Sequence, residues 1–186
     1  MKTILFLKTE TNGLPRGKHK EATKDNLECW PNLISLYYKI GKLNLENNKI
    51  KIEYSNYSII KGNFKINKYA QKVHQITNEI IKEEGNAIKD ILNKMNEDLK
   101  KYEIRIIVGH NIMFDYNIVN AEFIRNNLEI YNEKIQIVDT INYNHDYEYL
   151  KLEVLYQKLF NRKFKKSHPR KSLINIIIKC FEKLYS

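Results

Sequence analysis

The hydrophobic and polar positions along the chain predict strands first and helices afterwards. A continuous apolar run at residues 3–7 is typical of a strand that is buried on both faces. Residues 33–40 predict a second strand, and the alternation in residues 49–57 predicts a half-exposed antiparallel strand. Gly41 and Lys42 allow a turn into residues 43–45, and Asn47 with Asn48 predicts another before residue 49, so these segments are expected to form a three-stranded meander.

Beyond residue 70 the apolar spacing changes to that of helices. Thr77 is expected to cap a short helix that stops at Gly85. A longer helix follows, with an apolar stripe at i, i+3, i+4 and i+7 that comprises Ile88, Ile91, Leu92, Met95 and Leu99. The other predicted elements are strands at residues 104–108 and 135–138 and helices at residues 114–123, 150–160 and 173–184.

This order of elements predicts an α/β fold, in which a mixed sheet is covered by helices. The chain has 186 residues, which is enough for one domain with a core and short for two. No internal repeat, low-complexity tract or linker divides it. Residues 1–186 are therefore expected to form a single domain.

The chain is strongly basic, with a formal net charge of +10. An excess of this size favours nucleic acid or another anionic partner, because Lys and Arg displace counterions from phosphates. The alternative is a coding bias, since Lys, Asn, Ile and Tyr are all heavily used. The charge alone leaves both explanations open.

Cysteine usage and hydropathy bear on location. Cys29 and Cys180 are far apart and show no C-x-x-C spacing, which favours free thiols in a reducing compartment over a disulfide or a zinc site. No stretch is apolar enough to span a membrane, and the apolar start of the chain carries no small-residue cleavage site. An intracellular protein, cytoplasmic or nuclear and without a membrane partner, is expected.

Several short motifs occur in a telling order. Glu10 and Thr11 precede Gly13, Leu14 and Pro15, and a second motif runs from Val108 through His110 to Asp115. The others are Trp30 to Ile34, Val73 to Thr77, Asp139 with Thr140, residues 152–160, and His168 followed by Lys179, Cys180 and Phe181. Together these motifs resemble those of the DEDDh (DnaQ-like, proofreading-type) 3′–5′ exonucleases.

The resemblance implies a ribonuclease H-like fold, with a five-stranded mixed sheet flanked by helices. It also implies hydrolysis of a phosphodiester by two divalent ions, Mg²⁺ or Mn²⁺, that four carboxylates hold while a His acts as general base. By the family pattern Glu10 and Asp115 match two of the carboxylates, and His168 matches the base. Lys8 and Leu173 stand where the other two Asp residues belong.

The two replacements cannot be repaired by shifting the alignment, because no Asp or Glu lies between Glu153 and Glu182. A unit charge at about 4 Å is worth about 4 kcal/mol at an effective dielectric near 20, so Lys8 would repel a metal ion. We therefore expect its ammonium to point at Glu10 and Asp115 as an internal counterion, with no cofactor. The alternative is weak binding of a single metal by these two carboxylates.

Candidate nucleic-acid contacts lie on both sides of His168. The cluster comprises Arg162, Lys163, Lys165, Lys166, Arg170 and Lys171. Phe160 and Phe164 interleave it, as in sites that track a single strand. The alternative is a solvated Lys-rich turn. A smaller basic group lies at residues 16–20, and the tyrosines of residues 143–149 either stack bases or pack within a loop.

Three functions follow. The first is a degenerate, catalytically inactive exonuclease-like domain that binds single-stranded DNA or RNA, or serves as a subunit of a replication, repair or transcription assembly. The second is an active or attenuated 3′–5′ exonuclease that uses Glu10, Asp115 and His168. The third is a protein-interaction scaffold that binds no nucleic acid.

Overall fold

The computed structural model describes residues 2–131, 134–141, 150–163 and 169–185, with the backbone alone described for residues 169–172. The predicted segments at residues 142–149 and 164–168 therefore lie outside the described residues. No helix within the described ranges is long and apolar enough to cross a membrane.

A mixed sheet forms the centre of the structure, and its strand order is β4-β3-β2-β1-β5-β6. The strands are β1 (Lys2–Thr11), β2 (Leu33–Asn44), β3 (Lys49–Ile60), β4 (Gly85–Asn86), β5 (Ile106–Gly109) and β6 (Gln136–Asp139). Strands β1, β2 and β3 are antiparallel neighbours, whereas β5 runs parallel to β1, β6 parallel to β5 and β4 parallel to β3. The predicted α/β fold is confirmed, with six strands rather than five, because the two-residue β4 is too short to leave a sequence pattern.

Helices cover the sheet on both faces. They are α1 (Lys68–His74), α2 (Asn78–Glu84), α3 (Ile88–Lys101), α4 (Ile112–Arg125), α5 (Leu152–Phe160) and α6 (Pro169–Leu184). Thr77 caps α2 as predicted, since its side chain accepts a hydrogen bond from the Ile80 amide. One expectation is wrong, since α6 begins at Pro169 rather than Leu173. A 3-10 helix, Lys24–Cys29, lies between β1 and β2.

The turn expected at Gly41 is also wrong. Gly41 lies inside β2, beside a bulge between Ile40 and Gly41, and the hairpin turns at residues 45–48, where Asn47 and Asn48 predicted a turn. A Cβ on Gly41 would lie 2.5 Å from the Ile50 side chain and 3.0 Å from the Lys51 carbonyl oxygen. This glycine therefore permits close approach of the neighbouring strand rather than a turn.

Strand β1 continues four residues past the apolar run and so carries the first motif within the sheet. Lys8 pairs with Tyr37 and Glu10 pairs with Ser35 on β2. Because side chains alternate along a strand, Lys8 and Glu10 share the face of Ile4 and Phe6. That face packs against α6 through a cluster that includes Val108, Ile174, Ile177 and Phe181.

Helix α6 runs antiparallel to β1. The Asn175 amide oxygen accepts a hydrogen bond of 2.7 Å from Lys39 Nζ, at the level of Phe6. Near the other end of the helix, Glu182 Oε1 accepts a hydrogen bond of 2.8 Å from the Ile50 amide, beside the β2–β3 turn. The N-terminal end of α6 therefore lies at the carboxyl end of β1, where Glu10 is.

A polar network is buried on the opposite face of the sheet. Asp98 on α3 is 1% exposed, and its carboxylate accepts hydrogen bonds from the Tyr38 hydroxyl (2.6 Å) and from Lys94 Nζ. Asn56 Nδ2 donates to the same Tyr38 hydroxyl at 2.9 Å. Burial and the Asp98 charge raise the pKa of Tyr38, so this phenol stays protonated and donates. The network joins α3 to β2 and β3.

We expect Tyr38→Phe to lower the free energy of unfolding by about 1–3 kcal/mol, because the buried Asp98 carboxylate loses a donor. Chemical denaturation measures this change. Tyr69→Phe is the matched control, since Tyr69 is 82% exposed and should lose little. Equal stability of the two variants would show that the network contributes nothing.

Candidate functional site

An ion pair joins β1 to the first turn of α4. Lys8 Nζ lies 2.8 Å from Asp115 Oδ1, with the Asp115 side chain 1% exposed and the Lys8 side chain 24% exposed. Burial by itself would lower the pKa of Lys8, but the charges of Asp115 and Glu10 raise it above its ordinary value. Lys8 is thus a cation in contact with Asp115, one of the two carboxylates expected from the sequence; among the described residues it makes no ion pair with Glu10, the other one.

Strand β1 supplies two more donors to the same oxygen. Thr9 donates to Asp115 Oδ1 through its backbone amide and through its hydroxyl, both at 2.7 Å. Asp115 Oδ2 is buried and has no hydrogen-bond partner among the residues that the structure describes. Asp115 therefore has one fully engaged oxygen and one buried oxygen without a donor.

Glu10 lies two residues further along the same face of β1 and is half-buried. Burial raises the pKa of its carboxyl, the Lys8 charge opposes that shift, and the Asp115 charge adds to it. The net direction is upward, so this site favours the neutral form of Glu10 more than water does. The two carboxyls consequently differ: Asp115 has a cation in contact, whereas Glu10 has none within ion-pair distance among the described residues.

A cleft of about 630 Å³ opens above this pair, within the usual size range of ligand pockets. Lys8, Glu10, Phe114 and His74 line its floor and wall, and Lys8 Nζ lies 6.0 Å from the centre of the Phe114 ring. Its rim carries three strongly exposed apolar side chains, namely Leu14 (80%), Tyr69 (82%) and Val73 (66%). The cleft thus combines a charged floor with an apolar entrance.

The loop before α4 is fixed by its neighbours. Asp139 at the end of β6 accepts hydrogen bonds from the amides of Asn111 (2.9 Å) and Ile112 (3.0 Å). His110 Nδ1 lies 2.9 Å from the Thr140 hydroxyl, and its Nε2 lies 2.8 Å from the Leu150 carbonyl oxygen. Asp139 caps α4 and so positions Asp115, one turn further on. His110 and Asn111 thus have a local hydrogen-bonding role.

His74 is buried rather than merely on a helix face, being 2% exposed at the wall of the cleft. Its Nδ1 accepts a hydrogen bond of 3.0 Å from the Ile76 amide. The motifs in the sequence did not predict the role of Thr9 or the capping function of Asp139. Thr9 could have been found from alternation, which turns it towards the α4 side of β1.

The structure does not place the other predicted site residues at the cleft. His168, Lys165 and Lys166 lie outside the described residues. Leu173 is half-buried on α6, two residues before Asn175 and therefore towards the Lys8 end of β1, but it does not line the cleft.

The predicted basic cluster is divided between the two ends of the sheet. Arg162 lines a different pocket together with Asn47 and Lys49, beside the β2–β3 turn. This pocket is about 25 Å from Glu10, given the rise of about 3.3 Å per residue along β1. Lys163 is exposed next to Arg162, whereas Arg170 and Lys171 fall in the first turn of α6, at the Glu10 end. The expectation that one cluster meets the substrate at this cleft is therefore wrong for Arg162.

Solved structures share this architecture. Escherichia coli exonuclease I in complex with a dT13 oligonucleotide superposes with a TM-score of 0.74 and 15% identity, covering 100% of this chain and 41% of that chain. A 3′-exonuclease that recognises the histone mRNA stem-loop gives a TM-score of 0.70 at 11% identity, covering 99% of this chain and 81% of that one. The nuclease domain of 3′hExo, a DEDDh family member bound to rAMP, gives 0.67 at 13% identity, with coverages of 99% and 90%.

These identities show a common fold, and this chain spans about two-fifths of the length of exonuclease I. A search of curated proteins found no significant match. The Exonuclease family model (RNase_T) matches residues 37–169, which begin after β1 and end before Leu173. Since that match covers more than half of the sequence, the chain belongs to the exonuclease family.

Proposed function

We propose that this chain is a catalytically inactive exonuclease-like domain that binds single-stranded DNA or RNA in the Lys8 cleft without a metal ion. The observation that carries the proposal is the 2.8 Å contact between Lys8 Nζ and Asp115 Oδ1. Such a domain would serve as a binding subunit of a replication, repair or transcription assembly. We also propose that residues 1–186 form one domain.

The donor set in the cleft does not fit a divalent ion. Mg²⁺ takes carboxylate and water oxygens, but Asp115 Oδ1 already accepts three hydrogen bonds, one of them from the Lys8 ammonium. An ion beside Asp115 would also meet the repulsion of Lys8, on the order of 4 kcal/mol at about 4 Å. Among the described residues, no three His, Cys, Asp or Glu side chains converge on a common point.

The state of Glu10 supports the same conclusion. A carboxyl must be ionised to bind a metal, whereas burial raises the pKa of Glu10. The family chemistry would require two ions and four carboxylates, and this cleft offers one ion-paired carboxylate and one that burial drives towards the neutral form. Lys8 instead supplies a fixed positive charge to a phosphate.

Single-stranded nucleic acid suits the cleft for three reasons. The chain carries a net charge of +10. The exposed side chains of Leu14 and Tyr69 offer apolar and aromatic surfaces on which bases can stack. Structural neighbours include exonuclease I with dT13 and a 3′-exonuclease on an RNA stem-loop.

An attenuated exonuclease is the second candidate, and one observation favours it. Asp115 Oδ2 is buried without a donor among the described residues, as expected for an oxygen that awaits a ligand. One Mg²⁺ or Mn²⁺ bound there and at Glu10 would then replace the two-metal site, with His168 as the base. This function requires Lys8 to leave Asp115.

We also propose an intracellular location. Cys29 and Cys180 are both free, and burial raises the pKa of the Cys180 thiol to about 12. Unpaired cysteines of this kind suit a reducing compartment.

The proposal predicts binding without turnover. Fluorescence anisotropy of a labelled single strand should show binding in EDTA at least as tight as in Mg²⁺, because no metal ion is needed and Mg²⁺ competes for the phosphates, and the affinity should fall as salt rises. The same strand should stay intact in Mg²⁺ or Mn²⁺. Cleavage that Asp115→Ala abolishes would establish the attenuated exonuclease instead, and co-purification of a protein complex without any nucleic-acid binding would favour a scaffold.

Glu10 gives a prediction for pH. Because the folded chain holds the Glu10 proton to a higher pH than the unfolded chain does, stability falls as pH rises from the ordinary carboxyl pKa through the raised one. Glu10→Gln should therefore be more stable than the unmodified chain at pH 7 and equal to it near pH 4. Urea denaturation at each pH measures this difference.

The control for this series is Glu46→Gln, since Glu46 is exposed. Its difference from the unmodified chain should not vary with pH. A Glu10→Gln variant that is less stable at pH 7 would mean that ionised Glu10 is held by a cation, contrary to the proposal.

Restoring the two missing carboxylates should restore metal binding before activity. We expect Lys8→Asp with Leu173→Asp to gain a Mn²⁺-dependent rise in Tm and at least a tenfold tighter Kd for Mn²⁺, since about 1.4 kcal/mol of the Coulomb change suffices. Lys8→Asn with Leu173→Asn is the matched uncharged control. An equal Mn²⁺-dependent rise in Tm for the unmodified chain would contradict the proposal.

A further inference from the structure

We propose that a single strand leaves the Lys8 cleft over Leu14 and enters a second basin, where Arg16, Lys65 and Lys68 hold its phosphates. This inference rests on the proposed function and adds the path of the strand. It assigns the phosphate contacts to Arg16 in the loop after β1, to Lys65 before α1 and to Lys68 at the start of α1, rather than to the basic segment between α5 and α6. We call this second cavity the Asn12 basin, after the residue that ties its walls together.

The Asn12 basin has a volume of about 610 Å³ and opens beside the cleft. Gly13, Leu14 and Asn67 line both cavities. The two cavities are therefore adjacent, and Leu14, which is 80% exposed, lies at their common boundary. The two volumes are similar, so each can accept a nucleotide-sized group.

Hydrogen bonds from Asn12 connect the three segments around the basin. The Asn12 amide donates to the Asn32 carbonyl oxygen at 3.1 Å, and the Asn32 amide donates to the Asn12 side chain at 2.8 Å. The Asn67 amide donates to the Asn12 carbonyl oxygen at 2.9 Å. The basin is therefore a built feature of the fold, because its walls are fixed relative to β1.

The charge around the Asn12 basin is predominantly positive. Arg16, Lys65 and Lys68 line it, and Glu28 is the only acidic residue among the described residues that do so. Lys65 and Lys68 are exposed, and neither has an ion-pair partner in the part of the chain that the structure describes. Arg16 is oriented by a 2.6 Å hydrogen bond to the Glu28 carbonyl oxygen, which leaves its charge uncompensated by that contact.

Stacking surfaces stand at the passage between the cavities. Tyr69 follows Lys68 in the first turn of α1 and is 82% exposed, and Leu14 at the boundary is 80% exposed. An aromatic side chain next to a line of cations is the arrangement that tracks a single strand, because bases stack while phosphates are neutralised. An anionic peptide would use the cations but would leave Tyr69 and Leu14 exposed.

The experiment compares oligonucleotide lengths, using 5′-fluorescein dT3 and dT8 with the full chain and with Lys65→Gln/Lys68→Gln. The unmodified chain should bind dT8 at least about tenfold more tightly than dT3, because only the longer strand fills the Asn12 basin. The variant should lose most of this gain. Its plot of log Kd against log salt for dT8 should be shallower by about 1.4, which corresponds to two phosphate contacts on a single strand.

Lys51→Gln/Lys89→Gln is the matched control, since it removes the same charge from exposed positions outside both cavities. It should keep the length dependence and the salt slope, and thermal melting checks that both variants fold. If the basin variant behaves like this control, the inference is overturned while the proposed function stands. If the unmodified chain binds neither these strands nor the matching rU3 and rU8, both are overturned.

Discussion

A carboxylate that is removed from water needs a compensating charge or a set of donors, and the Asp115 side chain is 1% exposed. Lys8 and Thr9 provide both, from consecutive positions on β1. This contact fixes the start of α4 against the central strand. Removing Lys8 alone would leave an uncompensated buried charge, which is more damaging than replacing both partners together. The cleft and its floor therefore depend on a lysine that the family pattern would not place there.

Capping interactions hold the start of α4 through residues other than Lys8 and Glu10. Asp139 holds the amides of Asn111 and Ile112, and Thr140 with the Leu150 carbonyl oxygen holds the His110 ring. Neither interaction involves a carboxylate of the cleft. The α4 entry thus has support besides the Lys8–Asp115 contact, so a substitution at Lys8 or Glu10 leaves these capping interactions in place.

Much of the fold could be predicted because its signals are local. The stripe on α3 and the Thr77 cap depend on spacing within one element, and both are present. Gly41 misled because the same residue type permits a turn or a close strand approach, and only the register with β3 distinguishes them. The direction of Lys8 followed from charge alone. Which of the clustered cations share a surface did not, since it depends on where α5 ends and α6 begins.

Helix α6 is attached to the sheet by hydrogen bonds as well as by apolar packing. The helix is tied to Lys39 on β2 and to Ile50 on β3, so it is attached to the β2–β3 hairpin near both of its ends. Leu173 lies at the end of α6 nearest to Lys8. The placement of α6 beside the cleft therefore depends on β2 and β3 as well as on its packing against β1.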